Sequence, residues 1–346
     1  MKGVKKHLFV LLLLVVFFLV LFKVIYGPGT ASKMDNLFRF HNCLELLEDN
    51  KLYSQYACWH GPPMYYTYYL FKIIFGKYFA LWSTVILSAL IVFMILYLVW
   101  KETNNKKFII PILLYLALVI PLIADFFSFA AELVASLYML AGIVLLMYWK
   151  AKAKPFFVSL LFILSVLSSI VVLAPIGIFL ITYFYKTIEK PQIKNALTLI
   201  KTNLVQIVLI LLPIIVLHIL FELIHPRFIR FVWLGFAAAK ATNLFNAVIQ
   251  TVVAFSTPNL VQLPLTAMIV IALYSLFKAR NIYLTTFFFG ILAFTIINVR
   301  AFPASELFDP YLIYSNKFVP FILLFIIGFS ILANKINLDI KKHEQV

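Results

Sequence analysis

Charge is what this chain has least of: Asp, Glu, Lys and Arg make up 12% of its 346 residues, about half the share of a water-soluble protein. A cytosolic enzyme and a disordered tail are thereby excluded, because apolar runs such as 8–22, 79–100 and 203–221 have too little polar surface between them. Two cysteines are too few for a secreted disulfide scaffold. With 10 Gly, 15 Pro and no alternating ten-residue pattern, an outer-membrane barrel is excluded as well. His7, His41, His60, His218, His225 and His343 are scattered without metal-ligand spacing. There is no Walker loop, no G-x-S-x-G elbow and no dinucleotide fingerprint, so soluble nucleotides have no cradle.

What is present is apolar and basic. A 64% apolar composition, 36 Phe and a mean hydropathy of +1.03 make lipid the solvent. The formal charge of +16 invites a nucleic-acid partner, but no patch interleaves basic and aromatic residues, and none is expected. The positive charge reads instead as a topology signal. Apolar spans fall near 8–26, 79–100, 108–124, 130–149, 203–224, 260–277, 282–299 and 317–334, and basic clusters such as Lys101/Lys106/Lys107 and Lys150/Lys152/Lys154 separate them. If every cluster is cytoplasmic, the stretch 155–185 enters and returns as two short helices that break near Ser168 and Ser169. The expected fold is an all-α integral membrane protein of about ten transmembrane helices. It forms one polytopic domain, 1–346, with both termini cytoplasmic, outer loops at 27–78 and 225–259 and a short tail at 335–346. The N-terminus reads as an uncleaved first helix, since its apolar run exceeds that of a signal peptide.

Nine of the 13 acids fall on the outer side: Asp35, Glu45, Glu48, Asp49, Asp125, Glu132, Glu222, Glu306 and Asp309. The positive-inside rule does not sort acids, so this clustering points to function. In the first outer loop, Leu37, Phe40, Leu44 and Leu47 recur at helical spacing, which predicts a surface helix over 34–49. A second surface helix follows Pro62 and Pro63, its tyrosines suited to the headgroup zone. Cys43 and Cys58 flank these helices. A disulfide between them is geometrically open, but two buried free thiols are the favoured reading. Asp35 can act as a helix cap or as a carboxylate at the mouth of a lipid-lined cavity. Asp125 and Glu132 bracket a short outer turn, seven residues apart and on one face if helical. Glu132 lies slightly inside the membrane boundary, where an ionisable group is costly unless it snorkels outward or works. Arg227 and Arg230 have the spacing to fork onto a phosphate or a lipid headgroup. Arg300 and Lys317 supply further cations, near the phenols Tyr311 and Tyr314.

The order of these features carries a resemblance. An Asp just after the first helix, then His60-Gly61-Pro62-Pro63-Met64-Tyr65-Tyr66 between two surface helices, resembles the C-type (GT-C) glycosyltransferase superfamily. The polyprenyl-phosphate-sugar-dependent prokaryotic members, akin to protein mannosyltransferases and aminoarabinose transferases, look closest. Glu132 opening a helix that runs to Tyr148-Trp149-Lys150, the short hairpin, and Tyr311, Tyr314, Lys317 and Pro320 before a late helix fit the same layout. Residues 1–185 carry most of the match. Many relatives have a Lys in the hairpin turn, where this chain reads Leu167-Ser168-Ser169-Ile170.

The resemblance implies transfer of a sugar from a polyprenyl-phosphate carrier to a protein, lipid or glycan acceptor on the extracytoplasmic face of the cell membrane. It makes Asp35 the base, with Glu132 and Asp125 positioning the acceptor or a divalent cation, Mg2+ or Mn2+. Arg227, Arg230, Arg300 and Lys317 would hold the donor phosphate, with His60, Tyr311 and Tyr314 as further site candidates. Two competing classes remain open: a transporter or lipid flippase, which usually places ions and repeats at the midplane, and a non-catalytic membrane subunit.

Overall fold

The computed structural model describes residues 41–49, 51–53, 58, 60–104, 130–187, 196–230, 232, 263–278, 281–301 and 319–343. Among the described residues the chain is helical and contains no strand. A short helix α1 covers 41–48. It is followed by α2 (Pro62–Phe75), α3 (Phe79–Thr103), α4 (Ala131–Tyr148), α5 (Lys154–Ser168) and α6 (Leu173–Thr187). The later helices are α7 (Ala196–Ile224), α8 (Leu263–Lys278), α9 (Ile282–Ala301) and α10 (Val319–His343). Among the described residues four helical stretches are long and apolar enough to cross a membrane: Pro62–Thr103, Ala131–Tyr148, Val205–Ile224 and Val319–Ile336. The protein therefore has the character of an all-α membrane protein.

Pro62 and Pro63 start α2, where missing amide hydrogens cost nothing. Gly76, at φ 54° and ψ −130°, ends it in a conformation that side chains avoid. A 3-10 turn over Gly76–Tyr78 then leads into α3. The break has a physical purpose, since an unbroken helix over these 42 residues would run about 63 Å, twice the hydrocarbon thickness.

The 155–185 stretch folds as the charge pattern predicts, as helix, break and helix. Ser169 is extended (φ −151°, ψ 123°) between α5 and a 3-10 turn over Ile170–Val172. Ser168 Oγ donates to the Leu164 carbonyl at 2.7 Å, and Ser165 Oγ donates to the Ala135 carbonyl of α4 at 2.6 Å. Small hydroxyl residues thus satisfy the backbone at the break and fix α5 against α4.

The most extensive packing is between α4 and α5, and α2 and α3 lie against the same pair. On the other side of the bundle α9 packs between α6 and α10. Pro213 interrupts α7. Ser159 Oγ donates to the Ile210 carbonyl at 2.6 Å, one turn before that proline, where helix carbonyls open outward. Over 205–224 most of α7 is apolar and exposed, Leu223 at 75% and Val205 at 71%, as a lipid-facing helix requires.

Candidate functional site

The segments flanking α2, α4 and the α5 break meet at one end of the bundle. Gly61 N–H donates to the Leu167 carbonyl at 2.8 Å, so the segment before α2 rests on the α5 turn. The fit needs glycine: a Cβ at Gly61 would overlap the Leu167 carbonyl oxygen. Tyr68 O–H donates to the Ala130 carbonyl at 2.8 Å, the residue before α4. Thr67 Oγ1 and the Tyr138 hydroxyl pair at 3.1 Å, binding α2 to α4 a turn deeper.

Glu132 lies in the first turn of α4, only 5% exposed. Ser169 Oγ donates to its Oε1 at 3.2 Å. Ala130 offers no side-chain cap, so a first-turn carboxylate also complements the helix dipole. Thus the acid and the hairpin break, 37 residues apart, are in direct contact. The side chain in the hairpin turn that meets the carboxyl group is a serine, a neutral hydrogen-bond donor.

Cys43 and Cys58 form a disulfide, which corrects the expectation of two free thiols. The reason is local: the chain between them reverses and brings their Cα atoms to 5.8 Å, within bonding range. The bond clamps α1 to the approach to His60. His60 itself serves through its backbone: its carbonyl accepts Tyr53 O–H at 2.7 Å, and the Tyr65 hydroxyl also reaches its backbone. Burial pushes the Tyr53 phenol well above its ordinary pKa, so it remains a donor. Thiol labelling should find neither cysteine until a reductant is added. Replacing both by Ser should cost about 3 kcal/mol, the chain-entropy value for a loop of this length. Labelling of both without reductant would refute the bond.

The outer acids of the first loop are occupied locally. Glu48 pairs with Lys72 at 2.8 Å, Glu45 with His41 at 3.3 Å and Asp49 with Lys51 at 3.9 Å. Such exposed pairs contribute little to stability. Only the Glu48–Lys72 pair joins α1 to α2; the other two are local to α1 and the residues just after it.

After α7 the chain turns sharply. Glu222 accepts the backbone N–H of Arg227 at 3.0 Å and that of Ile229 at 2.8 Å, one on each carboxylate oxygen. This holds Arg227 at φ 78°. The guanidinium groups of Arg227 and Arg230 are exposed and make no ion pair among the described residues. The turn is docked on the first outer loop through His225. Its Nε2 lies 2.9 Å from the Tyr66 hydroxyl. Its ring meets Tyr53 edge-on at 6.2 Å, and Phe228 packs on both Tyr53 and Phe221. Burial holds the His225 pKa below the ordinary value.

Of the sequence-predicted site residues, Glu132, His60, Arg227 and Arg230 are among the described residues. Arg300 lies in the last turn of α9, its side chain outside the described set, and Asp35, Asp125, Tyr311, Tyr314 and Lys317 lie outside it altogether. The sequence placed Ser169 at the hairpin break and Gly61 ahead of two prolines, but not their contacts with Glu132 and Leu167, and it passed over the Tyr66–His225 contact. Among the described residues no three His, Cys, Asp or Glu side chains converge as a metal site. The chain matches no protein-family profile, no curated protein and no solved structure.

Proposed function

We propose that this chain is an integral membrane glycosyltransferase that moves a sugar from a polyprenyl-phosphate carrier to an acceptor at the extracytoplasmic face. The observation that carries the reading is the meeting of three separated motifs at one turn: Gly61 on Leu167, Ser169 on Glu132, and Tyr68 on Ala130. In this reading the spans number about ten, α1 and α2 lie along the membrane surface, and both termini are cytoplasmic. The disulfide supports the sidedness, because such bonds persist on the oxidising side of a membrane. The lysines at 150, 152 and 154, at the far ends of α4 and α5, belong on the opposite face.

The reaction needs three things from the protein: a base for the acceptor hydroxyl, negative charge beside an oxocarbenium-like carbon, and cations on the leaving phosphate. Asp35 takes the first task, Glu132 with Asp125 the second and the placing of the acceptor, and Arg227, Arg230, Arg300 and Lys317 the third. Glu132 suits its task because the Ser169 hydrogen bond fixes its carboxylate while leaving the negative charge in place. A carrier anchored in lipid brings its phosphate to the rim unaided, which is why the chain needs no nucleotide fold.

The test is a transfer assay in membranes supplied with a radiolabelled polyprenyl-phosphate sugar. Label should reach an acceptor only when the chain is present, and Glu132→Gln should slow this about tenfold, as removal of a positioning charge does. Chain-dependent flux of the lipid across proteoliposomes without sugar transfer would reject the enzyme in favour of a flippase. Neither flux nor transfer would leave a non-catalytic subunit.

A further inference from the structure

His225 is 1% exposed, and its Nδ1 has no hydrogen-bond partner. A buried polar atom left alone costs about 1–3 kcal/mol, so its state is constrained. Two neutral tautomers exist. In one, Nδ1 carries the proton and buries an N–H with no acceptor, while Nε2 accepts from Tyr66. In the other, Nδ1 is a bare lone pair and Nε2–H donates to the Tyr66 oxygen. Orphaned N–H donors are rarer in folded proteins than under-used acceptors, which selects the second.

The choice of tautomer decides what Tyr66 can do. If His225 supplies the proton of their hydrogen bond, the hydroxyl proton of Tyr66 is unused. Tyr66 is 39% exposed, so that proton is free to point away from the protein. The same turn carries Arg227 and Arg230, exposed and without carboxylate partners because both oxygens of Glu222 are committed to backbone N–H groups. A phenolic donor and two guanidinium groups with no acceptor among them call for an oxyanion.

We propose that Tyr66, held by its hydrogen bond from neutral His225, is a binding residue for a lipid-borne phosphate shared with Arg227 and Arg230, with His225 as its positioning residue. This deepens the reading above by adding a donor from the first outer loop to a phosphate site otherwise made of cations. It also gives the docking of the two outer loops a consequence: phosphate affinity depends on their contact. The titratable groups packed on His225 are Tyr53 from the first loop and Tyr66 from α2, and Glu222, Arg227 and Arg230 are the charged groups of its own segment.

The experiment uses the full chain in nanodiscs of zwitterionic lipid and reads binding of a short-chain polyprenyl phosphate by 31P NMR. Inorganic phosphate and phosphatidylglycerol serve as separate arms. Tyr66→Phe should weaken polyprenyl-phosphate binding about tenfold. His225→Phe keeps the aromatic packing and removes the donor, and should weaken it comparably. The double variant should be no worse than Tyr66→Phe alone. His225→Gln restores an N–H near the Nε2 position and should recover most of the affinity. In 15N NMR of the native chain, the His225 Nδ1 should be unprotonated at neutral pH, and bound phosphate should raise the pH at which the ring titrates, by reciprocity.

Native binding in all His225 variants, additive losses, or a proton on Nδ1 would overturn the positioning role. Native affinity in Tyr66→Phe, or no phosphate binding in any arm, would overturn the site. Equal response to inorganic phosphate alone would reject a lipid-borne ligand. These outcomes are separable from the enzymatic reading. Sugar transfer with unaltered binding in the variants removes the site and leaves the enzyme, whereas Tyr66-dependent binding without any transfer does the reverse.

Discussion

Gly61→Ala should cost the fold about 4 kcal/mol, combining overpacking with a lost backbone hydrogen bond. The new methyl group would run into the Leu167 carbonyl oxygen, and the obstacle is main chain rather than a side chain that could turn aside. Relief requires pulling the start of α2 away from the hairpin, which breaks the 2.8 Å bond from Gly61 N–H. Because native membrane and soluble domains alike rest on small net stabilities, such a loss is a large fraction of the whole. Gly177→Ala in α6 is the matched control. A Cβ there meets nothing within 4 Å, so the change should be neutral or stabilise by up to about 1 kcal/mol through helix propensity. Thermal unfolding of both variants in the same detergent decides the matter. Indistinguishable midpoints would mean that the junction of α2 and the hairpin does not hold the outer end together. A second reading comes from thiol labelling, since Cys43 and Cys58 lie beside the displaced segment and should become easier to reduce in Gly61→Ala.

What the sequence made legible follows from range. Apolar runs and lysine clusters are local, and they placed α3, α4, α7, α8, α9 and α10 to within a few residues at most of their ends. The hairpin was legible too, because 31 residues between two basic clusters are too long for one span. The contacts that shape the candidate site are not local. Ser169 meets Glu132 across 37 residues, and Tyr66 meets His225 across 159. No periodicity in one chain encodes such a distance. His225 was read with five other histidines as a failed zinc site, and Tyr66 as one of several headgroup tyrosines; only packing pairs them. The cysteines were misjudged for the same reason. Two thiols in a mostly apolar chain resemble core residues until the turn between them is seen. Of the acids whose clustering pointed to function, Glu45, Glu48 and Asp49 lie in local ion pairs, which composition alone does not show.

Asp35→Asn should lower sugar transfer at least about a hundredfold, the largest effect expected of any single change here. The argument is one of proton accounting. An acceptor hydroxyl attacking the anomeric carbon must lose its proton as the bond forms, and asparagine is isosteric but cannot take it. Asp35 is the base by the resemblance to GT-C transferases; among the described carboxylates, Glu45, Glu48 and Asp49 face nearby cations, and Glu222 has both oxygens on backbone N–H groups. Glu132 is buried against Ser169, which suits a fixed charge better than a group that must exchange protons with an incoming acceptor. Asp35 lies eight residues ahead of Cys43, on the approach to the clamped helix α1. The loss should fall on kcat, with KM for the lipid donor little changed, because the phosphate is held by other residues. Glu132→Gln, by contrast, should lose about tenfold with its fold intact, since the amide oxygen still accepts from Ser169. The two variants also separate by pH. With the native chain the rate of the proposed transfer should rise with pH as the base loses its proton, and that limb should vanish in Asp35→Asn but persist in Glu132→Gln. Near-native turnover in Asp35→Asn would move the base elsewhere on the outer rim, and retention of the pH limb in that variant would do so even if the rate fell.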